Sequence, residues 1–188
     1  MKNFPNANQL SGRATGAIFF AFFGAAWLFL ALAAKQVLTL ANVVGILAGM
    51  AALLLAAASL RRQAKRWPRL PSDPAIGRAF SWVNAIQWTA VAITAFTLAR
   101  LHLEAYTPSA ITAIVGLHMF PLARLFRYPL HHVTGALLVA WAVATAVFVP
   151  VAEMQGTAAL GTGLILWLSA VVTLTIALRL AVQSPVAA

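Results

Sequence analysis

His118 is the one residue with a readily ionisable side chain deep inside an otherwise uncharged apolar stretch of this sequence. It stands in Gly116-Leu117-His118-Met119-Phe120-Pro121-Leu122-Ala123. Pro121 has no amide hydrogen and kinks a membrane helix, which frees a backbone carbonyl one turn earlier, near Leu117. An imidazole beside a freed carbonyl suits a proton, a water molecule or a ligand. Asn84 and Gln87 form a second polar pair, three residues apart and so on one helical face, flanked by Trp82 and Trp88. A third group, Arg124, Arg127, Tyr128, His131 and His132, covers a short connection and has the chemistry to hold a lipid phosphate or an anionic solute.

Each group has a competing structural reading. Arginine and tyrosine at headgroup level anchor a helix. Asn84, Gln87 and His118 can hydrogen-bond to neighbouring helices without serving a ligand. A haem or metal held by His118 and His132 is a further alternative, although no carboxylate lies at their depth to complete a catalytic metal site, and no cofactor is expected. Glu104 and Glu153 fall at the outer ends of apolar runs and Asp73 falls in the 61–76 loop, so a carboxylate relay for protons or sodium has no residue to carry it. The chain has no cysteine, no paired carboxylates and no H-E-x-x-H, which weighs against an enzyme and leaves a histidine-bound haem or metal as the enzymatic alternative.

The elements that must position these groups are set by composition. Of 188 residues 62% are hydrophobic and 9% charged, against about 25% charged in a soluble domain. Mean hydropathy is +0.88. The solvent for most of this chain is lipid. A hydrocarbon core about 30 Å thick takes roughly 20 apolar residues as a helix. Six segments meet that requirement, near 14–34, 43–60, 79–99, 105–123, 133–152 and 154–178, and they predict a single all-α domain, an integral membrane bundle of six transmembrane helices. Ala31-Leu32-Ala33 resembles a signal-peptide cleavage site, but the apolar run before it is longer than such peptides carry, so it reads as the first span. Ser11, Asn42, Asp73-Pro74, Thr107-Pro108, Pro129 and Thr157 are expected helix-start signals, and 61–76 is expected to be the one long loop. Gly12/Gly16 and Gly45/Gly49 are spaced for close helix approach, as Gly116, Gly135, Gly161 and Gly163 can be.

Charge sets the orientation. With the N-terminus inside, the inner segments hold 11 Lys and Arg and the outer loops hold only Lys35 and Arg100. The positive-inside rule then places both termini in the cytoplasm. The net charge of +10 is accounted for by the anionic inner leaflet, not by nucleic acid. By helical rise, Asn84 and Gln87 lie about 10–15 Å, and His118 about 13 Å, from the cytoplasmic ends of helices 3 and 4. The three polar side chains therefore share a depth.

The Gly116–Ala123 stretch, followed by Phe126 and Pro129, resembles a motif of small bacterial six-span inner-membrane proteins. The resemblance covers the end of helix 4, the turn after it and the overall topology. It implies a bacterial inner membrane and singles out His118 and Pro121. The leading expectation is a small permease, channel or solute/lipid-binding protein with its site in the cytoplasmic half, formed by His118, Asn84, Gln87, Trp88, Arg124, Arg127 and His132. A non-catalytic accessory subunit, working with a membrane partner or as a homo-oligomer, and a histidine-ligated redox protein are the alternatives.

Overall fold

The computed structural model describes residues 6–69, 71 and 73–182. Among them the regular structure is helical throughout: α1 (Ala7–Ala34), α2 (Leu40–Ala64), α3 (Pro74–Arg100), α4 (Thr107–Leu125), α5 (Leu130–Phe148) and α6 (Val151–Val182), with a 3-10 turn (Glu104–Tyr106) leading into α4. All six are long and apolar enough to cross a membrane. Even α5, with 19 residues, reaches about 28 Å at 1.5 Å per residue.

Most helices are longer than the apolar windows, because polar residues continue a helix into the headgroup region. α2 absorbs Arg61, Arg62 and Gln63, which shortens the expected loop to 65–73. Asn6, not Ser11, caps α1 by accepting from the Gln9 amide at 2.9 Å. Thr39, not Asn42, caps α2, and Asn42 instead donates its side-chain amide to the Val37 carbonyl at 2.8 Å. Asp73 caps α3 as expected, accepting from the Ala75 amide. α5 ends at Phe148 instead of 152, because Pro150 stops it, and α6 starts at Val151, so Thr157 lies within the helix and not at its cap.

Three turns reverse the chain with one device. Gln36, His102 and Arg127 have φ of 55°, 56° and 49°. The amide after each reaches back to a carbonyl five residues earlier: Val37 to Leu32 (3.0 Å), Leu103 to Leu98 (2.8 Å) and Tyr128 to Ala123 (2.9 Å). This is the Schellman closure, made here without the glycine that usually supplies the left-handed residue.

Neighbours alternate in direction. The Ala7 amide bonds the Pro68 carbonyl, Arg13 lies over Tyr128, and Tyr128 donates to Thr173, which gathers the start of α1, the α2–α3 loop, the α4–α5 turn and the end of α6 at one end. Lys35 against Thr157 and Gln155 against the Glu104 carbonyl define the other end.

α6 runs through the middle, packed on α1, α2, α4 and α5. At its seam with α1, Gly24 lies against Gly163, and the small residues Ala14, Ala17 and Ala21 of α1 and Ala159, Ala170 and Ala177 of α6 are buried. Small side chains let two backbones approach without an entropy cost. Larger core residues, among them Leu10, Leu60, Met119, Leu138 and Leu174, fill the space around that seam. α3 stands apart. It packs on α4 and has no buried residue.

Two tryptophans key the glycines. The Trp167 indole lies against Gly24 of α1 and Gly49 of α2 and donates to the Ala21 carbonyl at 3.0 Å. Trp141 lies on Gly161 and donates to the Ala158 carbonyl at 3.2 Å. α4 and α5 cross at Gly116 and Gly135, where a Cβ on Gly116 would meet the Gly135 carbonyl oxygen at 2.9 Å. Gly12, Gly16 and Gly45 meet nothing within 4 Å, so of the two expected glycine pairs only Gly49 is used for packing.

Candidate functional site

The polar residues singled out by sequence gather in part along the seam between α3 and α4. The partly buried stripe of α3 runs Ala79, Val83, Gln87, Ala90 and Thr94, at helical spacing, with Asn84 beside it. His118 is 9% exposed and reaches the backbone of Val83. The imidazole therefore crosses to α3 instead of remaining with the carbonyl that Pro121 frees on its own helix, and α4 continues through Pro121 as one helix. Asn84 turns its amide back to the Phe80 carbonyl at 2.9 Å. Gln87 makes no side-chain hydrogen bond to any described residue. His118 thus meets α3 in the turn that carries Asn84 and Gln87.

α3 is held at two further points. Phe80 packs on Phe126 with ring centroids 5.7 Å apart, and Trp88 packs on Phe23 of α1 at 6.4 Å. Trp88 is 55% exposed and forms the rim of the seam, not its wall. Two shallow hollows lie along the outer side of α3, one lined by Trp82, Ala85, Ile86, Thr89 and Ile93 and one, nearer its start, by Gly77, Arg78 and Ser81.

The remaining expected residues are distributed differently. His132 is exposed and faces Phe120, with centroids 5.7 Å apart, on another side of α5 from its neighbour His131. Arg124 and Arg127 are exposed and in no ion pair with a described residue. Arg127 also carries the left-handed backbone of the α4–α5 turn, so its position serves the turn whatever its charge does.

A second cluster includes a residue that sequence reading treated only as an orienting charge. The Arg13 guanidinium carbon lies 4.9 Å from the centroid of Tyr128, a cation–π contact. Tyr128 is buried and donates its hydroxyl to Thr173 at 3.3 Å. His131 sets its ring edge-on to Tyr128 at 5.1 Å and to Phe20 at 5.8 Å. One Arg13 nitrogen, Nη1, and the His131 Nδ1 are buried without a hydrogen-bond partner among the described residues.

The core polar groups, by contrast, are consumed pairwise. Ser109 and Thr145 hydroxyls lie 3.0 Å apart, Thr112 and Thr162 2.7 Å, and Thr134 and Ser169 2.9 Å. These pairs tie α4 to α5, α4 to α6 and α5 to α6. Thr162, Ser169 and Thr173 fall on one stripe of α6 at spacings of seven and four, the pattern that would have revealed them in sequence.

No protein-family model, curated protein or solved structure matches the chain.

Proposed function

We propose that this protein is a small membrane-resident binding protein for a lipid-like amphiphile, acting as a carrier or permease, with its site at the seam of α3 and α4. The observation that carries the reading is the seam itself. A buried histidine, an unbonded glutamine and an asparagine line a junction whose outer helix has no buried residue. Polar groups at membrane depth are costly unless they serve a partner. A helix packed mainly on one neighbour opens sideways more readily than one enclosed in the core. An amphiphile arriving from the bilayer would place its polar part against His118, Asn84 and Gln87 and its chains beneath Trp88. The pairing of the core hydroxyls with one another supports lateral binding over a continuous water-filled channel.

In the same reading the chain sits in a bacterial inner membrane with both termini cytoplasmic. Ten of the twelve described Lys and Arg lie at the end of the bundle shared by the termini, with Lys35 and Arg100 at the other, and the positive-inside rule assigns that end to the cytoplasm. Arg124 and Arg127 then meet the anionic leaflet.

The test is native mass spectrometry of the full chain released from mild detergent. A stoichiometric lipid-like adduct is expected on the wild type, with its occupancy lowered in Gln87→Leu and His118→Phe. Equal occupancy in all three proteins would refute the seam as the site.

A second reading has its own support. Trp82, Ile86, Ile93 and Phe96 of α3 are each more than 60% exposed, and their side of α3 carries the hollows described above. An accessory subunit would bury this face against a membrane partner or a second copy. Native spectra showing a stable complex, broken by Trp82→Ala and Phe96→Ala, would favour it over the binding reading.

A further inference from the structure

We infer that Arg61 and Lys65 of α2, with Thr15 of α1, form a headgroup site for one anionic phospholipid, on observations independent of the α3–α4 seam. Arg61, Arg62, Lys65 and Arg66 are all exposed and in no ion pair with a described residue. Asp73 caps α3, and Glu104 and Glu153 lie at the opposite end of the bundle. At about 100° per residue the four cations cover about 140° of the α2 circumference. Arg61 stands at the edge of that arc nearest α1, and its direction is fixed. Its Nη2 donates to the Thr15 hydroxyl at 2.8 Å, and that hydroxyl donates to the Ser11 carbonyl at 2.9 Å. The guanidinium is thereby held beside α1, with Lys65 one turn further along the same face of α2.

Depth selects the partner. The uncharged stretch of α2 from Leu40 to Leu60 measures about 31 Å at 1.5 Å per residue, the thickness of the hydrocarbon core. Arg61 therefore emerges at its boundary, and Lys65 and Arg66 stand about 6–8 Å further out. The headgroup layer of one leaflet is about 5–8 Å deep. Trp67 packs on the core and the Pro68 carbonyl accepts from the Ala7 amide at 3.1 Å, so the chain returns to the bundle directly after the cluster. Charges held at this level meet lipid phosphates, not the surface of a soluble acidic protein. One to two turns deeper on α1, on the face of Thr15, Phe19 and Phe22 are 51% and 60% exposed and give an acyl chain its bed. A zwitterionic headgroup would bring its own ammonium among four cations, whereas an anionic one gains from each of them.

The experiment loads the full-length protein into nanodiscs of phosphatidylcholine with graded phosphatidylglycerol and counts retained lipid by native mass spectrometry. One phosphatidylglycerol per chain, retained in preference to phosphatidylcholine, is expected on the wild type. Its binding should weaken about tenfold or more in the double variant Arg61→Gln, Lys65→Gln. Thr15→Val keeps every charge but releases the guanidinium, and should weaken it about two- to tenfold. Arg124→Gln removes one exposed charge elsewhere on the protein and should keep the adduct. Gln87→Leu should also keep the preference for phosphatidylglycerol, so that a loss at the α3–α4 seam reads separately from a loss here. No preference between the two lipids, an equal loss in Arg124→Gln, or wild-type retention in Thr15→Val overturns the inference. A stoichiometric acidic protein retained in place of the lipid overturns it in favour of a protein partner.

Discussion

The hydroxyls of Thr112 and Thr162 lie 2.7 Å apart, fully buried, where α4 meets α6. Each also sits 2.7 Å from the carbonyl four residues before it on its own helix, Pro108 and Ala158 respectively. One hydroxyl can donate across the interface while the other donates to its own helix. Inside a bilayer such pairs contribute about 0.6 kcal/mol on average and up to about 1.7. Thr162→Val is therefore expected to destabilise the fold within that range. A double-mutant cycle with Thr112→Val, read by reversible unfolding in mixed micelles, should return a coupling of the same size. Strict additivity would mean that the two side chains are merely neighbours.

The glycines separate by what surrounds them. Gly116→Ala would drive a methyl group into the Gly135 carbonyl oxygen at 2.9 Å and Val139 Cγ2 at 2.8 Å. Backbone cannot swing away, and the expected loss is about 1–3 kcal/mol. Gly12→Ala has open space and should gain about 0.5–1 kcal/mol from helix propensity. Thermal stability of the two variants should shift in opposite directions.

Tryptophan position decides tryptophan cost. Trp167 joins α6 to α1 and α2, and Trp167→Ala is expected to lose about 3–5 kcal/mol. Trp82, 71% exposed on the outer side of α3, should tolerate alanine within about 0.5 kcal/mol. Comparable losses at the two positions would show that α3 is buried by something outside this chain, as the accessory-subunit reading requires.

Arg127 separates charge from backbone. Its φ of 49° costs a non-glycine residue about 1–2 kcal/mol, so Arg127→Gly should raise stability while removing the charge. If the exposed arginine contributes to anionic-lipid attraction, flotation with phosphatidylglycerol vesicles should weaken modestly in this more stable protein. Destabilisation by Arg127→Gly would contradict the turn geometry.

Topology is testable without a ligand. Reporter fusions at both termini should give cytoplasmic signals, and a fusion in the 101–106 connection should give a periplasmic one. The reverse pattern would remove the positive-inside argument and with it the assignment of Arg124 and Arg127 to the inner leaflet.

Much of the fold was legible because lipid imposes it: six uncharged apolar runs, each long enough to span, can satisfy their backbone groups only as helices. The seam was half legible. Rise per residue placed Asn84, Gln87 and His118 at one depth, and helices 3 and 4 do meet there. Capping was read less well. Ser11 and Asn42 have the right chemistry, but Asn6 and Thr39 start their helices a turn earlier, since apolar windows stop where polar residues begin although the helix does not.

Sequence by itself determined the helix count and the gathering of basic residues between alternate apolar runs, because both follow from local composition and a fixed 1.5 Å rise. Only tertiary structure decided which side chains share a face of the assembled bundle. Adjacent residues on a helix diverge by about 100°, so His131 turns to Phe20 and Tyr128 while His132 turns to Phe120, and nothing in the dipeptide distinguishes them. Arg13 read as one charge among eleven until α1 packed against α6 and carried it over the Tyr128 ring. Glycine spacing alone likewise could not separate Gly116, with a backbone against it, from Gly12, with none, because close approach belongs to pairs of helices and not to either one.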